Sequence, residues 1–472
     1  MDQILYWNEV ALEANRISFT DQEKGEQGGP TLSSRALGIV HIAMHDAYMK
    51  VSGSVIYTPY LPMLDAPVAG ASADAAIAGA AYTALSALYP KQKSFFDKKL
   101  NSISVSASGK EAGHRYGVYI AKKILDQRKD DPKNDDTGYA PPSGRGMHKL
   151  DPYNTSQGYL APFYGAQSKL FAATQRHELN KPPIDNPEYE QSLRQVKGKG
   201  IAPELMGTLP PAAVKRTAEE SLIGLFWAYD GTNEIGTPPR FYNQIIRSLA
   251  IKKGNKVEAN ARLFALVNVA MADAGILAWD QKYIHNFWRP VNGIREHDKS
   301  MGATGVENTG FSADCDPQWL PLGSPKSNVA GSKNFTPGFP AYPSGHATFG
   351  AAAFHIARLF YNKNLSGDRS NDTLLDDIQI VSDELNGVTR DNNGTVRPCH
   401  LRSFDGGLWK MIVENALSRI YLGVHWSFDA FKVDSDGNPI FGEKTGGVDL
   451  GVTIAEDIFK SCMKKSIVGP RA

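Results

Sequence analysis

The spacing of apolar residues limits this chain's fold more than any other feature. Over most of its 472 residues they recur at three- and four-residue intervals, the repeat of an amphipathic helix. In "TLSSRALGIVHIAMHDAYMKV", Leu37, Val40, Ala43, Met44 and Ala47 keep that spacing. Thr31, Ser33 and Ser34, at its start, are N-cap candidates. "ADAAIAGAAYTALSALY" reads as a tightly packing alanine-rich helix, and "SGKEAGHRYGVYIAKKILDQR" as a third. Residues 219–249 and 258–287 continue the pattern. Two-residue alternation is scarce, and "DSDGNPIFGE" is expected to form at most one short hairpin. The expected class is all-α, built as helical bundles.

Long Pro/Gly-rich segments separate the helices. Residues 130–209 read as loop, and "ADCDPQWLPLGSPKSNVAGSKNFTPGFPAYPSGH" as a long connection on a fixed path. The polar stretch 367–398 reads as an insertion. The chain is expected to divide near residue 215, into an N-terminal bundle with its loops (1–215) and a C-terminal bundle (216–472).

Charge removes several functions. With 51 basic and 50 acidic side chains the net charge is +1, so no global field draws nucleic acid or anionic lipid. The nearest approach to a membrane span, "ARLFALVNVAMADAGILAW", is interrupted by Arg262, Asn268 and Asp273. A soluble protein is therefore expected, and "MDQILYWNEVALEANR" lacks the form of a signal peptide. Cys315, Cys399 and Cys462 are too few and too dispersed for a disulfide or zinc framework. His41 and His45 have the spacing of a zinc pair, but Ile42 stands where a metalloprotease carries Glu, so they read as core residues.

Three clusters carry chemistry. In "KYIHNFWRP", Lys282 and Arg289 are seven residues apart. On one helix they would share a face about 10 Å apart along the axis, with Pro290 ending the helix. A solvated cationic face is the alternative. In "FPAYPSGHATFG", Ser344 and Gly345 stand at an expected helix start, where free amides and the helix dipole favour an oxyanion. A simple cap is the alternative there. In "LSRIYLGVHWSFDA", Arg419 precedes His425 by six residues, and Asp429 follows it by four, close enough to fix its tautomer. Three cations, directed donors and the imidazoles of His346 and His425 together suit a tetrahedral oxyanion.

The order K-x6-RP, PSGH, SR-x3-G-x-H-x3-D resembles the superfamily of vanadium-dependent haloperoxidases and type 2 phosphatidic acid phosphatases. Further stretches, including "ILYWNEVALEANR" and "FWAYDGTNEIGTPPRFYNQIIR", are similar to the fungal-type vanadium chloroperoxidases. The resemblance implies two four-helix bundles with one vanadate site, mainly in the C-terminal half. It implies His425 as the vanadium ligand, with Lys282, Arg289, Ser344, Gly345 and Arg419 on the oxygens. It implies His346 as the acid–base residue and Asp230 as a carboxylate that orients a histidine or an arginine. Trp279 and Phe339 match aromatic residues bordering the halide side. Bromide-restricted relatives tend to carry His near Phe339, so the apolar ring implies chloride competence. The implied reaction is oxidation of chloride or bromide by hydrogen peroxide to hypohalous acid, which halogenates a small organic acceptor. Phosphate would compete with vanadate. The rival reading is a phosphatase with His425 as nucleophile and His346 protonating the leaving group. No residue pattern assigns an oligomeric state or a compartment, and the resemblance allows a secreted protein.

Overall fold

The computed structural model describes residues 2–104, 108–132, 134–296, 315–362, 372, 374–375 and 378–471. In chain order the helices are α1 (Gln3–Thr20), α2 (Gly29–Ser52), α3 (Ala73–Leu88), α4 (Lys93–Ser102), α5 (Lys110–Gln127), the one-turn α6 (Tyr164–Gln167), α7 (Pro187–Lys199), α8 (Ala218–Phe226), α9 (Pro238–Lys252), α10 (Val257–His285), α11 (Pro290–Glu296), α12 (Gly345–Tyr361), α13 (Gly407–Tyr421), the one-turn α14 (Ser427–Ala430) and α15 (Gly446–Lys460). Strand structure among the described residues is two antiparallel pairs, β1 (Gln379–Val381) with β2 (Leu401–Ser403) and β3 (Lys432–Val433) with β4 (Pro439–Ile440). The class is all-α, as the periodicity predicts.

α10 is apolar on all sides because it is buried on all sides. It is long and apolar enough to cross a bilayer, but its apolar window lies wholly inside the protein. It packs against α2 on one flank and against α12 and α15 on the other. The bundle of α2, α3 and α5 thus shares α10 with that of α12, α13 and α15. Two contacts bring backbones together. A Cβ at Gly79 or Gly117 would overlap the His114 or Ala76 carbonyl between α3 and α5. A Cβ at Gly447 or Gly451 would overlap the Ser344 or Thr348 carbonyl, so α15 lies directly on the first turns of α12.

Buried carboxylates tie loops to this frame. Asp46 on α2 accepts from the Tyr60 and Leu61 amides at 2.7 and 2.9 Å and from His45 Nδ1 at 2.8 Å. Asp273 on α10 accepts from the Phe171, Ala172 and Ala173 amides at 2.6, 2.8 and 2.7 Å. His41 bonds Leu37 O at 2.7 Å and Asn8 at 2.9 Å, as a core residue does.

Several expectations need correction. α2 starts at Gly29 with Pro30 in its first turn and no side-chain cap. Ser33 and Ser34 sit inside it and donate back to the Gly29 and Thr31 carbonyls. The helix expected over 219–249 breaks after Phe226 and restarts at Pro238, because Pro238 and Pro239 have no amide to continue a helix and suit a first turn. The loop expected over 130–209 contains α7, which Asn186 caps through the Tyr189 amide. Lys282 and Arg289 do not share a helix: α10 ends at His285, Asn286 turns left-handed at φ 50°, and Pro290 begins α11 instead of ending α10. The stretch 367–398 holds β1, which pairs with β2 beyond it, while residues 367–371, 373 and 376–377 lie outside the described residues. The expected hairpin near Gly437 is β3–β4.

Candidate active site

Five elements converge on one buried point. Lys282 comes from the last turn of α10, and Arg289 from the residue before α11. Ser344 caps α12, accepting from the Ala347 amide at 3.4 Å. Gly345 and His346 are the first residues of α12, where no intrahelical acceptor exists for their amides. Arg419 lies in the last turn of α13, and His425 stands before α14. The Ser344 amide donates to Asp429 O at 2.8 Å, joining the second and third motifs through backbone.

His425 is oriented from both sides. Its Nδ1 lies 2.8 Å from Asp429 Oδ2, and its Nε2 lies 3.0 Å from Arg289 Nη1. A guanidinium only donates, so Nε2 carries the lone pair and Nδ1 carries the proton. The nitrogen free to ligate therefore faces the cations. His346 Nε2 lies 2.6 Å from the Ala228 carbonyl and 3.9 Å from Asp230 Oδ1. Asp230 grips Arg419 through two bonds of 2.9 Å, and Arg419 also reaches Ser324 Oγ at 3.2 Å.

The site is short of negative charge. Lys282 and Arg289 are fully buried and have no carboxylate partner among the described residues. Lys282 Nζ donates to the carbonyls of Pro340, Ala341 and Pro343 at 2.8, 3.1 and 2.5 Å. Arg289 uses the Phe339 and Val424 carbonyls at 2.9 and 2.7 Å. Arg289 Nη2 and Arg419 Nε are buried with no partner. Burial, reinforced by Arg289, pushes the Lys282 ammonium well below its ordinary range. Burial brings Arg289 down to about 9. Burial and then Arg419 hold His346 down at about 3. Burial, Arg289 and Lys282 hold His425 well below the usual imidazole range. Burial lifts Asp429 to about 7. Burial alone would raise Asp230, but Arg419 and His346 outweigh it and hold the carboxyl down. A bound oxyanion would relieve the depressed cations and imidazoles together.

A cavity of about 220 Å³ opens onto this point. Asp230, Gly345, His346, Arg419 and His425 reach it, together with Trp279 and Phe339, whose rings are 4.9 Å apart. Lys282, Arg289 and Ser344 are not among its lining residues. Lys282 Nζ sits 5.0 Å from the Phe339 ring and 5.7 Å from the Trp279 ring. Every residue expected from the three motifs is thus in or behind one wall. Sequence reasoning missed Ser324, the Ala228 carbonyl and the three carbonyls around Lys282. It also missed His148, buried beside Tyr159 with neither ring nitrogen partnered. Burial lowers its pKa well below the usual range, and Arg289 and Lys282 add to this.

Comparison with known proteins places the chain in a family. The vanadium chloroperoxidase N-terminal domain matches residues 1–164, and the second helical-bundle domain matches residues 262–445. Vanadium chloroperoxidase of Curvularia inaequalis is 35% identical over 570 aligned positions, covering 98% of this chain and 90% of that protein. The structure of a bacterial vanadium-dependent iodoperoxidase, 17% identical, covers 97% of this chain and 96% of its own with a TM-score of 0.63. A holo-type bacterial vanadium-dependent chloroperoxidase, 15% identical, covers 92% of this chain and 93% of its own with a TM-score of 0.58. On the two domain matches and the identity to the Curvularia enzyme, this chain belongs to the vanadium chloroperoxidase family.

Proposed function

We propose that this chain is a vanadium-dependent haloperoxidase that oxidises chloride or bromide with hydrogen peroxide to hypohalous acid. One observation supports this most: buried guanidinium N–H groups without partners beside a histidine whose unprotonated Nε2 faces them. Such donors are costly to bury unless something accepts from them. The donor set fits vanadate, a tetrahedral oxyanion with a metal centre that an imidazole can ligate. When bound, vanadate supplies a Lewis-acidic centre that makes peroxide electrophilic toward halide.

The protein's part follows from its own groups. His425 Nε2 is the ligand atom, and Asp429 keeps the proton on Nδ1. Arg289 Nη2, Arg419 Nε and the Gly345 amide hold oxygens, with Ser344 fixing the start of α12. Lys282 supplies positive charge and can reach an oxygen only by releasing one of its three carbonyls. Asp230 sets the angle of Arg419 and adds negative charge near His346, the residue that moves protons. Trp279 and Phe339 exclude water from the halide side. The N-terminal bundle to about residue 215 serves as scaffold. A phosphatase reading could use the same oxyanion site, but the family and the paired rings of Trp279 and Phe339 favour halide oxidation.

The test begins with protein stripped of bound anions by chelation and phosphate-free exchange. Halogenation of a diketone is expected to need peroxide, halide and added orthovanadate together, and to be inhibited by phosphate. Inactivity with vanadate, alongside aryl phosphate hydrolysis that vanadate blocks, would move the protein to the phosphatase reading.

A further inference from the structure

Arg419 keeps one guanidinium nitrogen for a bound anion. Its Nη1 and Nη2 grip Asp230 at 2.9 Å each, and Nη2 also donates to Ser324 Oγ at 3.2 Å. Nε, buried and without a partner, is what remains. The guanidinium is planar, so its plane decides where the single Nε–H points. The two bonds to Asp230 define an axis, and a planar group can tilt about an axis. A third bond in another direction stops the tilt, and Ser324 supplies it.

The Ser324 hydroxyl is itself held in place. Ser324 is fully buried. It exchanges backbone bonds with Phe335, 2.9 Å through its amide and 3.1 Å through its carbonyl. The Gly323 amide donates to Leu422 O at 2.8 Å, which registers the loop on the end of α13, the helix that carries Arg419. Gly323 is left-handed at φ 78°, and a Cβ there would overlap Asn334, so this approach requires glycine. Ser324 serves both members of the ion pair. Burial pushes the Asp230 carboxyl up, whereas Arg419, His346 and the Ser324 hydroxyl hold it down.

We infer that Ser324 is a positioning residue for the bound oxyanion: its hydroxyl fixes the plane of the Arg419 guanidinium and so aims Nε at the anion. The inference rests on the oxyanion site of the haloperoxidase reading and adds a residue to it. Asp230 fixes where the guanidinium lies, and Ser324 fixes how it is turned.

The test is a double-mutant cycle on anion-stripped protein with inorganic phosphate as the probe, read by calorimetry and by thermal shift at high phosphate, which reaches weak binders. Ser324→Ala is expected to weaken phosphate about five- to tenfold while the fold, followed by circular dichroism, persists. Ser324→Cys, which fills the same space with a poorer acceptor, should weaken it severalfold. Arg419→Lys removes the plane, so adding Ser324→Ala to it should change affinity by less than about twofold. In vanadate-loaded enzyme, Ser324→Ala should raise the orthovanadate needed for half-maximal halogenation by the same factor and leave KM for bromide unchanged. Wild-type phosphate affinity in Ser324→Ala overturns the proposal. So does an equal loss in both backgrounds, which would mean that the hydroxyl acts independently of Arg419. A bromide KM that moves with the orthovanadate requirement also overturns it, as general loosening of the site. The predicted phosphate cycle without vanadate-dependent halogenation would overturn the haloperoxidase reading and still support the role of Ser324.

Discussion

The two flanks of α10 bury charge in opposite ways. On the α2 side the buried carboxylates Asp273 and Asp46 are met by loop amides, Asp273 by three and Asp46 by two. On the α12 side Asp230 pairs with Arg419 and Asp429 with His425, yet Arg289 Nη2 and Arg419 Nε are buried and meet nothing. The first arrangement closes on itself and fixes chain path. The second is complete only with an added anion. Burial alone therefore does not mark a functional site; unmatched donors gathered beside an imidazole whose lone pair faces them do.

The largest expected effect comes from removing the ligand nitrogen. His425→Ala should abolish vanadate retention and lower halogenation by at least about 1,000-fold, roughly 4 kcal/mol. Its fold, followed by circular dichroism, should persist. Vanadium stoichiometry that stays at the wild-type level would refute the ligand assignment. On the other flank, Asp273→Ala leaves three buried amides without their acceptor. A stability loss of about 3–5 kcal/mol is expected in denaturant melts. A loss under 1 kcal/mol would mean the loop simply rehydrates.

Added anion should distinguish the flanks next. Orthovanadate at about 100 times its Kd should stabilise wild-type protein by about 2.7 kcal/mol and His425→Ala by far less. Equal stabilisation of both proteins would place the binding elsewhere.

Acid should weaken the vanadate-free protein. His41 and His285 are held at about 4 and His346 at about 3, with His45, His148 and His425 also lowered. Such groups bind fewer protons folded than unfolded, so stability falls as pH drops below about 6.5. His41 alone accounts for up to about 3 kcal/mol. Asp429 and Glu384, both raised to about 7, act in the opposite sense as pH rises through 4 to 7. The histidines outnumber them, and melting temperature should fall between pH 7 and pH 5. A flat profile would mean that anions or water already compensate the imidazoles.

The smallest effect concerns the halide. Phe339→His adds a polar ring where an apolar one excludes water. Chloride, the more strongly hydrated ion, should lose about tenfold more activity than bromide, about 1.4 kcal/mol. Equal losses would assign Phe339 to packing alone.

Much of the site was legible because its groups lie in short local motifs. Pro-Ser-Gly-His places a cap, an open amide and an imidazole within four residues. His425 and Asp429 meet across one turn. What stayed hidden depends on backbone from distant segments: Ala228 O on His346, and the 340–343 carbonyls on Lys282. Carbonyls have no residue identity, so no motif could reveal them. The Lys282–Arg289 geometry was misread for a related reason. Their spacing suits a helix, but Asn286 leaves helical conformation, and the cations converge through a turn. Of the fold, long apolar helices were clear, whereas the polar helix α7 was lost among prolines.

The backbone contact between α15 and the start of α12 sets when the site can form. Gly447 and Gly451 press on the Ser344 and Thr348 carbonyls, so the turn that offers its amides is backed by a helix ending at Lys460. A ribosome adds roughly 5–20 residues per second. The segment carrying Asp230 therefore waits on the order of ten seconds or more for the helix that backs the Ser344 turn. Anion capture thus waits until the chain has been made through Lys460, and retained vanadate reports that α15 has docked on the Ser344 turn.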